Sequence, residues 1–238
     1  MTRVSLRSTL VLVAVAVLAA VTVGAVSLHR DPPDATRAAS ADGTRAGVRA
    51  ISAEATPHAS LLTGTRHVDG LPTGFAHDEV GAVATAVAVT RAQIGFDPDQ
   101  AAAVAAAYAD PAERVAYEDR ARAAVADRRA QAGVGATEPP PPPASYAATP
   151  LAYTVHEVAP ELYAVHLLSW ITLTSTTAEI KDHLYVGTQL LRWSGDWRLI
   201  TPAADLRRDL AEQQPPTAAS GSDAFTRAGW VLIEDVNR

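Results

Sequence analysis

The chain has 238 residues, 26 acidic against 20 basic, a formal net charge of −6 and no cysteine. Without cysteine, disulfides, thiolate metal sites, cysteine nucleophiles and a lipoprotein anchor are all excluded. Residues 1–30 hold three Arg and no acid, so the remainder holds 17 basic and 26 acidic residues, a net of −9. A segment that acidic is a poor partner for a phosphate backbone. A single Lys (Lys181) against 19 Arg, with abundant Ala, suggests a GC-rich genome.

Leu10 to Leu28 is a run of 19 uncharged residues, interrupted only by Thr22, Gly24 and Ser27. As a helix it spans roughly 28 Å, close to the hydrocarbon thickness of a bilayer. Arg3 and Arg7 precede it, whereas Arg30 is followed by Asp31 and Asp34. The arginine excess on the short side predicts a cytoplasmic tail over 1–9, a membrane helix over 10–28 and an extracytoplasmic remainder. The rival reading is a cleaved signal peptide, with Val23-Gly24-Ala25 near the cleavage site. The apolar run is longer than the usual h-region of about 7–15 residues, and both readings export the rest of the chain.

Residues 29–70 lack any sustained apolar period and read as a disordered tether. Some 40 residues of loose coil span roughly 35 Å. Order is expected from Leu71. Val80, Val83, Val87 and Ile94 recur at helical spacing after Asp78 and Glu79, which suit a helix start. Gly81, Ala82, Thr85 and Ala86 form a narrow face on which a helix can approach a sheet closely. Asp97-Pro98 and Asp110-Pro111 each place a capping Asp before a Pro, predicting two more helices. Glu118 and Arg122 pair at i,i+4 on the second of these, and Gly133 and Gly135 end it. Pro139 to Pro143 open a proline-rich connector over 139–148.

Leu151–Val158, Leu162–Leu173, Leu184–Trp193 and Trp197–Thr201 then read as strands, with a tight hairpin at Gly195. Ala203–Gln213 reads as a short surface helix. Beyond Ser222, helical spacing and a strand at Trp230–Ile233 remain alternatives. Helices followed by a run of antiparallel strands predict an α+β domain over 71–202, its helices covering one face of a curved sheet, and a helical or extended tail over 203–238.

The search for chemistry yields no P-loop, no dinucleotide fingerprint, no GxSxG elbow and no HExxH pair. The acid pairs Asp78/Glu79, Asp97/Asp99 and Glu118/Asp119 have ordinary explanations as helix starts or solvated faces. His58 and His67 fall in the tether, and His77 at a helix start. His156 and His166 sit on different strands and can meet, but two His alone are a weak metal signal. Trp193 and Trp197 flank the hairpin and read as packing. No catalytic, cofactor-binding or metal-ligating residue is named.

Two segments carry a resemblance. In GLPTGFAHDEVGAVATAV (70–87) the positions are Pro72, Gly74, Phe75, Gly81, Ala82 and Ala86. In LRWSGDWRLI (191–200) they are Leu191, Trp193, Gly195, Asp196, Trp197 and Arg198. Together these resemble a family of uncharacterised actinobacterial single-pass membrane proteins over residues 70–202, although Thr201-Pro202-Ala203-Ala204 departs from the Gly-Pro-x-Pro stretch common there. The layout is similar to the bitopic scaffold subunits of conjugation, or type IV secretion, machines. That resemblance implies a nuclear-transport-factor-like cone and a non-enzymatic scaffold or assembly role, with protein partners in the cell envelope and homo-oligomers among the expected partners. The net charge of −9 without a basic stripe predicts no nucleic-acid contact, and the absence of a chemical motif predicts no cofactor. The alternative it leaves is a small-molecule or isomerase-like pocket protein, with Tyr153, Tyr163 and Tyr185 turned inward and Asp182 as the acid. A dry interior favours the first; a cavity with a buried acid facing Tyr favours the second.

Overall fold

A computed structural model describes residues 58–61 and 63–234. The tail over 1–9, the membrane helix over 10–28 and the tether as far as 57 lie outside the described residues. Among those described, no helix is long and apolar enough to cross a membrane.

Order begins ahead of Leu71, within the stretch expected to be tether. Strand β1 (His58–Ser60) pairs in parallel with the last strand of the chain, and β2 (Arg66–Val68) pairs antiparallel with β3 (Leu71–Thr73). Strand β1 is held by a partner at the far end of the chain and three residues carry no period, whereas β2 and β3 form a local hairpin whose turn, Asp69-Gly70, has φ of 51° and 81°. Three helices follow: α1 (Glu79–Ala92), α2 (Pro98–Tyr108) and α3 (Arg114–Ala132). Asp78 caps α1 by accepting from Gly81 N at 2.7 Å, and Asp97 caps α2 through Asp99 N and Gln100 N. Gly133, at φ 70°, ends α3 in the left-handed conformation.

Asp110-Pro111 does not open α3. Asp110 is buried, accepts from Ala112 N at 3.0 Å and from Arg192 at 2.6 Å, and the helix starts only at Arg114. The cap chemistry is used on a tight turn instead, in which Glu113 N bonds back to Asp110 O at 2.9 Å while Arg192 takes the other carboxylate oxygen. The Ala112 amide, then Arg192, holds the Asp110 carboxyl below its ordinary range.

The strands are β4 (Ser145–Ala159), β5 (Leu162–Thr174), β6 (Ile180–Trp193) and β7 (Trp197–Leu199), in a continuous antiparallel meander. The chain closes with α4 (Ala204–Glu212), α5 (Asp223–Arg227) and β8 (Val231–Glu234), which joins β4 on its free edge. Sheet order is β1-β8-β4-β5-β6-β7. The architecture is α+β, with helices on a curved antiparallel sheet of five strands and β1 added in parallel. Strand β4 starts at Ser145, inside the expected connector. Pro150 sits within it because a register irregularity between Pro150 and Ala152 absorbs the missing N–H.

The first sheet face carries Tyr153, Val165, Leu167, Leu191, Trp197 and Leu199, packed against Val83, Val87, Val104 and Tyr108. Helix α1 is buried along Gly81–Val87, so its small-residue face does lie on the sheet. A Cβ on Gly81 would stand 1.9 Å from Ala76 O, so only glycine fits. Val80 and Ile94, by contrast, are exposed. The second face is covered too. Ala152, Leu168 and Val186 pack with Ala218, Phe225 and Trp230, while Ala164 and Leu190 pack with Leu210 of α4. Helices therefore do not cover one face alone: the segment after residue 202 crosses the other and becomes part of the domain.

Trp197 is 1% exposed and donates its indole N–H to Ala76 O at 2.7 Å. Trp197→Ala should lower unfolding free energy by about 3–5 kcal/mol, and Trp193→Ala, at a half-buried site, by less. Urea unfolding of the two variants checks the order; equal losses would contradict it.

Candidate functional site

Each acid pair singled out from the sequence has a structural partner. Asp78 and Asp97 are caps. Arg122 lies 3.7 Å from both Glu118 and Asp119, and 3.9 Å from Asp99. The tyrosines and Asp182 do not converge. Tyr153, Tyr163 and Tyr185 pair across the sheet with Leu167, Leu191 and Ser169, on the first face. Asp182 pairs with Thr172, on the opposite face, because side chains alternate along a strand.

At one end of the first face is an open cleft of about 210 Å³, lined by His77, Asp78, Glu157, Glu161, Tyr163 and Trp197. The His77 ring stacks on Trp193 at 3.9 Å, almost parallel, and its Nε2 lies 3.1 Å from Glu161. Trp193 and Trp197 meet edge to face at 5.3 Å. Each polar group at this rim is solvated or paired.

The second face holds a different arrangement. His166 lies opposite Thr154 on β4 and Thr188 on β6, and His156 stands two residues further along β4 on the same face. The two rings are 5.5 Å apart, centre to centre. His166 is 1% exposed, and its Nδ1 is 2.8 Å from Thr188 Oγ1. That hydroxyl accepts from Gln214 Nε2 at 3.2 Å. Nε2 of His166 and Nε2 of His156 are both buried without a hydrogen-bond partner. A cleft of about 310 Å³ reaches His156 and is lined besides by Glu157, Asp209 and Gln213, with Leu206 and Leu210. Sequence reasoning placed the two histidines on different strands that can meet but missed Thr188, Asp209 and Gln214. Nothing local marks these three, since α4 and its outlet reach the pair only through tertiary packing. Among the described residues, no group of three or more His, Asp or Glu gathers at metal-binding distance.

Burial pushes the His166 ring from its ordinary 6.5 down to about 4, with the neighbouring His156 acting in the same direction. The unfolded chain takes up this proton near 6.5, whereas the folded chain resists it until about 4. Stability from this group is therefore full above the higher value and falls by roughly 3 kcal/mol as pH drops through that window. Urea unfolding across the window, with a chelator present, should show this slope and lose it in His166→Leu. An unchanged slope in the variant would assign it to other groups.

Comparison with models of known protein families, with curated proteins and with solved structures finds no match, so the role of the site is argued from its own residues.

Proposed function

We propose that the chain is a non-enzymatic scaffold or assembly component, anchored in the membrane by residues 10–28 with its folded part outside the cytoplasm. The observation that carries this reading is the filled layer between α1, α2 and the sheet, where Val83, Val87, Val104, Tyr108, Val165, Leu167 and Trp197 are all at most 3% exposed. Of the two clefts described above, one lies on the opposite face and the other opens at the end of that layer, where Trp197 forms part of its wall. A sheet wrapped on helices in this way is consistent with the nuclear-transport-factor-like cone. On that footing a conjugation or secretion machine is the host proposed here, with envelope proteins and further copies of this chain as partners. Fold alone does not fix function, and the host rests on likeness of layout.

The isomerase-like alternative is weakened by the separation of Asp182 from the tyrosines on opposite faces. Nucleic acid is not proposed as a partner even if the host transfers DNA. The densest basic stretch is engaged within the domain. Arg120 stacks on Tyr117 and donates to Thr201, while Arg122 faces three acids. Arg128 and Arg129 are buried on the carbonyls of Gln93, Phe96 and Gly135. Counterion release needs cations free to reach phosphates.

Two measurements on the detergent-solubilised full chain test the proposal. Native separation of gently solubilised membranes should find it in an assembly larger than the 24.9 kDa chain. A mobility-shift assay should find no binding of single- or double-stranded DNA below about 10 μM at physiological salt. A monomer in native membranes, or micromolar DNA binding with a steep salt slope, would sink it.

A further inference from the structure

We infer that His156 and His166 form a transition-metal site, taking a divalent ion of the copper and zinc class between their Nε2 atoms, with the adjoining cleft admitting solvent to complete its coordination.

Three observations carry this. Both Nε2 atoms are buried and unpartnered, on rings only 5.5 Å apart. A buried polar nitrogen without a partner is costly, and two such atoms side by side call for a shared one. An ion held by two imidazole nitrogens at about 2.0–2.1 Å keeps the ring centres roughly 5–6 Å apart when its bond angle is tetrahedral to trigonal. The observed centre-to-centre spacing lies within that range.

The second observation is the support of the deeper ring. Thr188 Oγ1 lies 2.8 Å from His166 Nδ1 and is itself held by Gln214, which also donates to Val186 O at 3.0 Å. When Nδ1–H donates to that hydroxyl, the lone pair is on Nε2, the atom that faces no other group. A metal-bound histidine is ordinarily oriented through its second nitrogen in this way. The register is built in, since Thr188 is the direct cross-strand partner of His166.

The third is the cleft. It reaches His156 and is lined by the carboxylates Glu157 and Asp209 and the amide of Gln213. Two protein nitrogens leave coordination positions for water, and acids in the cleft wall favour a cation over a neutral guest. Without sulfur ligands, imidazole with carboxylate and water suits copper and zinc, and copper should be the tighter of the two. Nothing in this arrangement depends on the scaffold reading; the site stands whether or not the chain belongs to an envelope machine.

The test is calorimetric titration of the chelator-stripped full chain with copper(II) or zinc chloride near neutral pH and physiological salt. One ion per chain is expected, with copper(II) spin resonance reporting two imidazole nitrogens. His156→Gln, at the less deeply buried member of the pair, should weaken binding by at least about tenfold. Thr188→Val keeps the volume and both histidines, and should also weaken it, by about 10–100-fold. His67→Ala and His183→Ala should leave it unchanged. His166→Gln may be judged only if its near-ultraviolet spectrum matches the parent, and the other two variants decide the matter without it. Binding weaker than about 1 mM, or binding that survives both His156→Gln and Thr188→Val, would mean an adventitious ion only and overturn the inference.

Discussion

One buried carboxylate ties the two ends of the first core together. Asp196 is 5% exposed at the tip of the β6–β7 hairpin. It accepts from Gly74 N at 3.1 Å, from Arg66 at 3.1 Å and from the amide of Trp197 at 3.0 Å. Charge-assisted bonds of this kind are stronger than neutral ones, and a buried carboxylate stripped of them is costly. The neighbouring indole donates to Ala76 O, and Tyr108 of α2 donates to Pro72 O at 2.8 Å. Three of these bonds, at Gly74 N, Ala76 O and Pro72 O, land on the stretch 72–76 that leads into α1. The hairpin thus sets where α1 enters, and Gly81, which has no room for a Cβ, lets the helix turn closely over Ala76. The burial of Tyr108, with the charge on Asp196 nearby, pushes its hydroxyl up to about 12, so it stays a donor at any physiological pH.

The second constraint is that the middle of β5 is buried on both sides. Ala164 to Ser169 are all buried, which requires cover on two faces. Helices α1 and α2 supply one cover, with α3 packed behind α2, and the chain after Pro202 supplies the other. A strand of this kind reads as a near-continuous apolar run rather than an alternation. A polar residue within it, His166, is forced into the interior whichever face it takes.

Much of this was legible in the sequence, and the failures share a cause. Asp78, Asp97 and Gly133 act over one turn of chain, and the helix ends they mark are where local chemistry puts them. The same holds for the hairpin at Gly195. The Asp110-Pro111 pair looks identical to Asp97-Pro98, but Arg192, 82 residues away, takes its carboxylate. Strand β1 and the return of β8 to β4 are likewise set by distant partners, whereas the β2–β3 hairpin is local and turns at Asp69-Gly70. The two segments that carried the resemblance, around Gly74 and Asp196, meet directly in space, so their joint presence has a packing reason and needs no catalytic one. At the histidine pair, the strand positions were readable, whereas the shared face followed only from the register of β4 on β5.

Satisfaction, rather than residue type, separates the places where chemistry can occur from those where it cannot. His77 has a Trp193 ring on its face and Glu161 at its Nε2, and it is open to water. Arg128 and Arg129, though buried, are matched by loop carbonyls and, for Arg128, by the face of Tyr146 at 4.4 Å. These groups are consumed in holding the fold. Four buried side-chain polar atoms among the described residues lack a partner, and two of the four are the Nε2 atoms of neighbouring rings. The other two, Gln189 Oε1 and Arg207 Nε, belong to side chains whose remaining atoms bond to Ala86 O and Pro202 O. Those single unmet atoms are remote in sequence and each sits on a group already anchored. Only the imidazoles place two unmet nitrogens on neighbouring rings, and a cleft reaches one of those rings, His156.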